Sequence, residues 1–78
     1  MQELIADINR LHTTEMGALR IKRNLALETD DAAGWCRKAI LSADARAERR
    51  GKNWYVTAGG CVITVNAGSL TIITAHRI

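Results

Sequence analysis

The chain has 78 residues, 47% of them hydrophobic and 24% charged, with no proline, which is the composition of one small globular domain rather than a disordered or low-complexity segment. Twelve of the 37 apolar residues are alanine, so the core is thin for its size and self-association would add stability. The net charge of +3 is unevenly placed: residues 1–48 balance to −1, whereas residues 49–78 carry Arg49, Arg50, Lys52 and Arg77 and no acid, so the C-terminal part projects a positive field.

Leu4, Ile5, Ile8 and Leu11 recur at helical spacing and predict an amphipathic first helix of about three turns. His12-Thr13-Thr14 interrupts it, and either threonine caps a second helix. Glu15 then sits near the positive end of that helix, and Ala18, Ile21 and Leu25 form its stripe beside Leu19. Thr29 is read as the cap of a third helix, followed by Asp30 and Asp31 and a buried face of Ala32, Ala33, Trp35, Cys36, Ala39 and Ile40. Gly34 inside that helix costs about 1 kcal/mol relative to alanine and implies a close approach.

After Leu41 the hydrophobic period changes from about 3.6 to 2, with turn signals at Gly51-Lys52, Gly59-Gly60 and Ala67-Gly68-Ser69. Strands are expected at 46–50, 53–58, 61–66 and 70–76, in an antiparallel meander. The whole predicts a two-layer α+β domain over 1–78, with a helical part (1–42) packed on one face of a four-stranded sheet (45–77). Leu4, Ile8, Ile21, Leu25, Trp35, Ile40, Trp54, Val56, Ile63, Val65 and Ile72 are its expected core.

Alternation puts Trp54, Val56, Cys61, Ile63, Val65, Leu70 and Ile72 on the buried side of the sheet, with Thr74 and His76 in phase with them. The other side carries Asn53, Tyr55, Thr57, Thr64, Asn66 and Thr71, with Val62 and Ile73 between the two sets. Bordered by Arg49, Arg50 and Lys52, that hydroxyl-rich side is the expected binding surface, where cations hold phosphate and Tyr55 stacks a base. A solvated, charged edge strand is the competing reading of the same segment. Glu28, Asp30 and Asp31 form an acidic patch able to mimic phosphate locally.

His12, His76, Cys36 and Cys61 follow no metal-ligand spacing, and two cysteines are too few for a disulfide framework, so neither metal nor cofactor is expected and the chain reads as cytoplasmic. No apolar run approaches the roughly 20 residues of a membrane span. His76 with Lys52, Arg50 and Tyr55 would supply the base, acid and cations of a small ribonuclease, although the alternation argues for a structural His76.

The runs Leu11-His12-Thr13-Thr14-Glu15-Met16-Gly17, Arg20-Ile21-Lys22-Arg23-Asn24-Leu25, Gly51-Lys52-Asn53-Trp54-Tyr55-Val56 and Thr71-Ile72-Ile73-Thr74-Ala75-His76 resemble a family of small bacterial proteins of unknown function. The resemblance implies a compact stand-alone domain and carries no reaction. In size and style the chain is similar to anti-defence proteins of phages and mobile elements, anti-CRISPR proteins among them. This implies a stoichiometric, non-enzymatic inhibitor that acts through protein–protein contact on a host protein or nucleoprotein complex such as a CRISPR effector, with a homodimer as one assembly. The order of helices and strands also resembles RelE-like and barnase-like ribonuclease toxins, and a non-catalytic RNA-binding module is the third expectation.

Overall fold

A computed structural model describes residues 2–78; Met1, the first residue of the expected 1–78 unit, lies outside them. Three helices, α1 (Gln2–Ala6), α2 (Glu15–Leu25) and α3 (Ala32–Ile40), precede the strands β1 (Arg46–Arg50), β2 (Asn53–Ala58), β3 (Cys61–Asn66) and β4 (Ile72–Arg77). The sheet is an open antiparallel meander in the order β1-β2-β3-β4, so the expected α+β architecture is the observed one.

Each helix boundary has a local cause. The first helix is shorter than its apolar spacing predicts. At Asp7 the backbone leaves helical geometry, and Ile8–Arg10 tightens into a 3-10 turn. That turn sends Leu4 and Leu11 into the core and leaves Ile5 exposed. Thr14 caps α2 by accepting from the Gly17 N–H at 3.0 Å. The cap of α3 is Asp31, which accepts from the Gly34 N–H at 2.8 Å, and the expected cap Thr29 instead accepts from the Asp31 N–H at 3.1 Å. The close approach implied at Gly34 is this same carboxylate, since a Cβ there would run into Asp31.

The hairpins follow their glycines. Gly59 and Gly60 both have positive φ (57° and 77°), as a primed two-residue turn requires, and Gly51 (57°) opens the β1–β2 turn. Asn66 Oδ1 accepts from the Gly68 and Ser69 N–H groups and organises the β3–β4 connection.

One apolar cluster joins Leu4, Leu11, Ile21, Leu25, Ala32, Cys36 and Ile40 from the helical part to Trp54, Val56, Cys61, Ile63, Val65, Leu70, Ile72 and Ala75 from one side of the sheet. Ile8 and Trp35, expected inside, are half-buried and pack against it, and Leu19, beside the predicted stripe, is exposed.

The outer edge of β4 is covered. His12 forms a parallel bridge to Thr71, with its N–H donating to the Leu70 carbonyl and its own carbonyl accepting from Ile72 N–H at 2.7 Å. Thr13 donates to the Ile72 carbonyl at 2.8 Å, Asn24 to the Ala75 carbonyl at 3.1 Å and Arg77 to the Leu25 carbonyl at the end of α2 at 2.9 Å. In contrast, β1 pairs only with β2, and its other edge is open.

Candidate functional site: the outer face of the sheet

The pairing registers place the outer side chains in three rows. Arg46, Thr57, Val62 and His76 form the first, Glu48, Tyr55, Thr64 and Thr74 the second, and Arg50, Asn53 and Asn66 the third. Asn53, Tyr55, Thr57, Thr64 and Asn66 therefore share the face predicted for them, and Thr71 follows at its edge, its carbonyl accepting from Asn66 N–H at 2.9 Å. Thr64 lies at the centre, buried between Tyr55 and Thr74, while Tyr55 is half-buried and Thr57 exposed.

Two residues change sides relative to the sequence reading. Strict alternation puts His76 and Thr74 with the core, but the β3–β4 register shifts at Thr64/Val65: Val65 pairs with Ile72, and Thr64 with Thr74. The extra residue, Ile73, is absorbed as a bulge and is 37% exposed, so Thr74 and His76 turn outward. Arg49 is the reverse case. Paired with Trp54, it lies on the core side, with its guanidinium 5.7 Å from the centre of the Trp54 ring, and it leaves the outer face to Arg46 and Arg50.

Arg50 and Tyr55 form the most organised element of the face. The guanidinium lies 4.3 Å from the ring centroid, and its Nε is 3.7 Å from Glu48 Oε1 across an exposed pair worth little on its own. The guanidinium rests over the face of the ring while the Arg50 side chain stays exposed to water, an arrangement that can receive a phosphate or a base. Lys52 stands in the adjoining turn, fully on the surface.

Of the four residues named for RNA cleavage, Arg50 and Tyr55 touch, Lys52 stands in the adjoining turn, and His76 lies on the opposite edge strand. With strands about 4.8 Å apart and a rise of about 3.4 Å per residue, His76 and Arg50 occupy opposite corners of the face, about 20 Å apart along the backbone surface. Tyr55 is about 12 Å from His76 by the same spacing.

A second cluster escaped the sequence reading. His12 Nδ1 is 3.0 Å from the Arg10 carbonyl oxygen and therefore donates to it, which leaves Nε2 to accept from the Thr71 hydroxyl at 3.2 Å. Thr71 Oγ1 is in turn 2.8 Å from Ser69 Oγ. A carbonyl, an imidazole and a hydroxyl in line have the outline of an activated nucleophile. However, the nearby Gly68 and Ser69 N–H groups, which would stabilise an oxyanion, already donate to Asn66 Oδ1. The line serves the bridge that closes the β4 edge. Its only sequence signal is the pair of polar residues His12 and Thr71, 59 positions apart, which no local pattern connects.

All three residues of the acidic patch are exposed. Asp31 caps α3, Asp30 lies 3.5 Å from Lys22 Nζ beside an open hollow lined by Glu15, Ala18 and Leu19, and Glu28 is exposed. Both cysteines are buried, and burial, reinforced by Cys61, pushes the Cys36 thiol up to about 12, so it is a packing residue rather than a nucleophile. Among the described residues no cluster of three or more His, Cys, Asp or Glu is arranged to hold a metal, and no helix is long and apolar enough to cross a membrane.

With the geometry in place, a comparison with protein families matches residues 5–76 to the model described as protein of unknown function, DUF3781. The chain belongs to DUF3781. No curated protein and no solved structure matches it. The most recognisable run of this DUF3781 chain, 11–17, is accounted for by folding: His12 bridges β4, Thr13 bonds its edge, Thr14 caps α2 and Gly17 lets α2 approach. Arg46, Arg50, Lys52, Tyr55 and His76 carry no comparable duty in the core.

Proposed function

We propose that the protein is a non-enzymatic binding protein whose outer sheet face takes a single-stranded, phosphate-bearing segment, such as the RNA of a nucleoprotein complex. The observation that carries this reading is the Arg50–Tyr55 stack on an open polar face, with Lys52 beside it and His76 turned outward by the bulge. Aromatic and guanidinium planes accept bases without regard to sequence, while the cations hold the backbone. Inhibition of a host defence complex of the anti-CRISPR type through protein–protein contact is the other non-enzymatic binding role open to this domain. What supports that role is size, since about 800 Å² per partner suffices for a specific complex.

Fluorescence anisotropy with a short single-stranded RNA tests the reading. Binding should weaken linearly in log salt with a slope set by about 0.7 per phosphate contacted, and Arg50→Ala with Lys52→Ala should flatten that slope by about one unit or more. Arg20→Ala with Arg23→Ala, which removes two exposed charges from α2, should change it much less. Equal losses from both pairs would reduce the effect to net charge and sink the proposal.

The ribonuclease reading is favoured by one observation, the outward position of His76. It predicts RNA cleavage abolished by His76→Ala. The non-enzymatic reading predicts instead that purified protein leaves a labelled RNA intact and that His76→Ala alters only affinity, by a factor of a few. Cleavage that disappears with His76 would overturn the non-enzymatic assignment.

A further inference from the structure

The open edge of β1 carries information of its own. Arg50 and Asn53 close a two-residue hairpin as a hydrogen-bonded pair, so Arg46, Glu48 and Arg50 direct their backbone groups to β2. Alternation then sends the N–H and C=O groups of Ala47 and Arg49, and the C=O of Ala45, to the unpaired edge; the Ala45 N–H already donates to the Ser42 carbonyl. A row of free backbone groups is a template for another strand unless side chains prevent it. Lysine, arginine and glutamate on an edge usually serve that purpose, so the pattern of charge decides whether this edge is blocked or specific.

The pattern is self-complementary in one register. When β1 meets a second copy antiparallel about a two-fold axis, side chains that face each other share a side of the joined sheet only if their residue numbers sum to an even value. With the axis at Glu48, glutamate faces glutamate and Arg46 faces Arg50. With the axis at Arg46 or at Arg49, two arginines meet. At Ala47 every clash disappears. Arg46 faces the second copy's Glu48, Glu48 faces its Arg46, and two alanines meet on the core side. The Ala47 axis also lies at an outward-bonding residue. It yields four backbone bonds, Ala47 N–H to Ala47 C=O and Arg49 N–H to Ala45 C=O, each in both directions.

We infer that two copies of the chain pair through β1 in this register, joining their sheets into one eight-stranded sheet with a continuous outer face. The backbone bonds supply the contact, and the charges select the register, since like charges directly opposite each other are destabilising. Arg46, exposed and outside any ion pair among the described residues, gains a partner. Glu48, now sharing Arg50, gains a second one. The thin core noted above also fits a protein that closes its open edge by self-association. The strand is about 17 Å long, which places the contact at the small end of specific interfaces, so the dimer fills only as protein concentration rises. The inference does not rest on RNA binding and is tested without nucleic acid.

Sedimentation equilibrium over a wide concentration range, on nuclease-treated protein, should show the mass rising from one chain toward two. Arg46→Glu and Glu48→Arg, each checked for an unchanged fold by circular dichroism, should each weaken dimerisation by about tenfold or more by placing like charges opposite. The double variant R46E/E48R should restore it, and an equimolar mixture of the two single variants should form a mixed dimer tighter than either alone. A chain that stays monomeric throughout, or a dimer that the single exchanges leave unchanged, would overturn the inference.

Discussion

Ile63→Ala should remove a third or more of the protein's stability. Ile63 is fully buried on β3, one of the two strands flanked on both sides, opposite Val56 of β2 and Ala75 of β4. Removing three carbons from such a site costs about 2–5 kcal/mol, the lost transfer energy plus a cavity that a sheet position closes poorly. At about 0.05–0.15 kcal/mol per residue, a chain of this length has roughly 4–12 kcal/mol of total stability. The midpoint should fall by about 10–25 °C, followed by far-ultraviolet circular dichroism and by the fluorescence of Trp35 and Trp54. Val62→Ala supplies the contrast. One residue away, half-buried and facing outward, it should cost about 1 kcal/mol or less. Equal losses at 62 and 63 would mean that the outer face is as closed as the core.

The contrast between 62 and 63 rests on alternation, and alternation was legible where turns were punctuated by glycine. The bounds 46–50, 53–58 and 61–66 agree with β1, β2 and β3 because Gly51 and Gly59-Gly60 take the positive φ that two-residue turns require. The fourth strand was less legible for two physical reasons. Leu70 adopts φ of 60°, an uncommon conformation for a branched side chain, and so stays out of β4; its carbonyl is tied to His12, far away in sequence. Ile72 and Ile73 are equally apolar, so no pattern says which of them is the bulge.

That ambiguity decides the site. Had β4 continued without a bulge, His76 would point into the core and the outer face would lose its imidazole. The stack of Arg50 on Tyr55 was legible as a basic segment beside an aromatic, but the side taken by each arginine was not. A shift of one residue exchanges Arg49 for Arg50. The helical part shows the same limit. Asp31 displaced Thr29 as the cap because the two lie two residues apart and both are good acceptors, and only the position of Gly34 selects between them.

Gly17→Ala tests how tightly the helical part is joined to the sheet, and its sign runs against intrinsic propensity. Alanine in place of glycine favours a helix by about 1 kcal/mol. At Gly17 the added Cβ would collide with the Thr13 hydroxyl oxygen, and it would sit 3.2 Å from Thr14 Oγ1 and 3.5 Å from the Ile72 carbonyl oxygen. Thr13 cannot yield freely, because its hydroxyl donates to that carbonyl at 2.8 Å, and Thr14 is held as the cap by the Gly17 N–H. Displacing either forfeits a hydrogen bond of about 1 kcal/mol or a cap of about 0.5–2 kcal/mol, so the variant should be destabilised by about 1–3 kcal/mol in urea denaturation. A double-mutant cycle isolates the cause. Thr13→Ala removes the oxygen in the way, so Gly17→Ala should cost much less in that background than in the native chain, with a coupling of about 1 kcal/mol or more. Additive effects would show that the junction relaxes elsewhere, and a stabilised Gly17→Ala would mean that α2 does not approach the β4 edge as closely as the Thr13 bond requires.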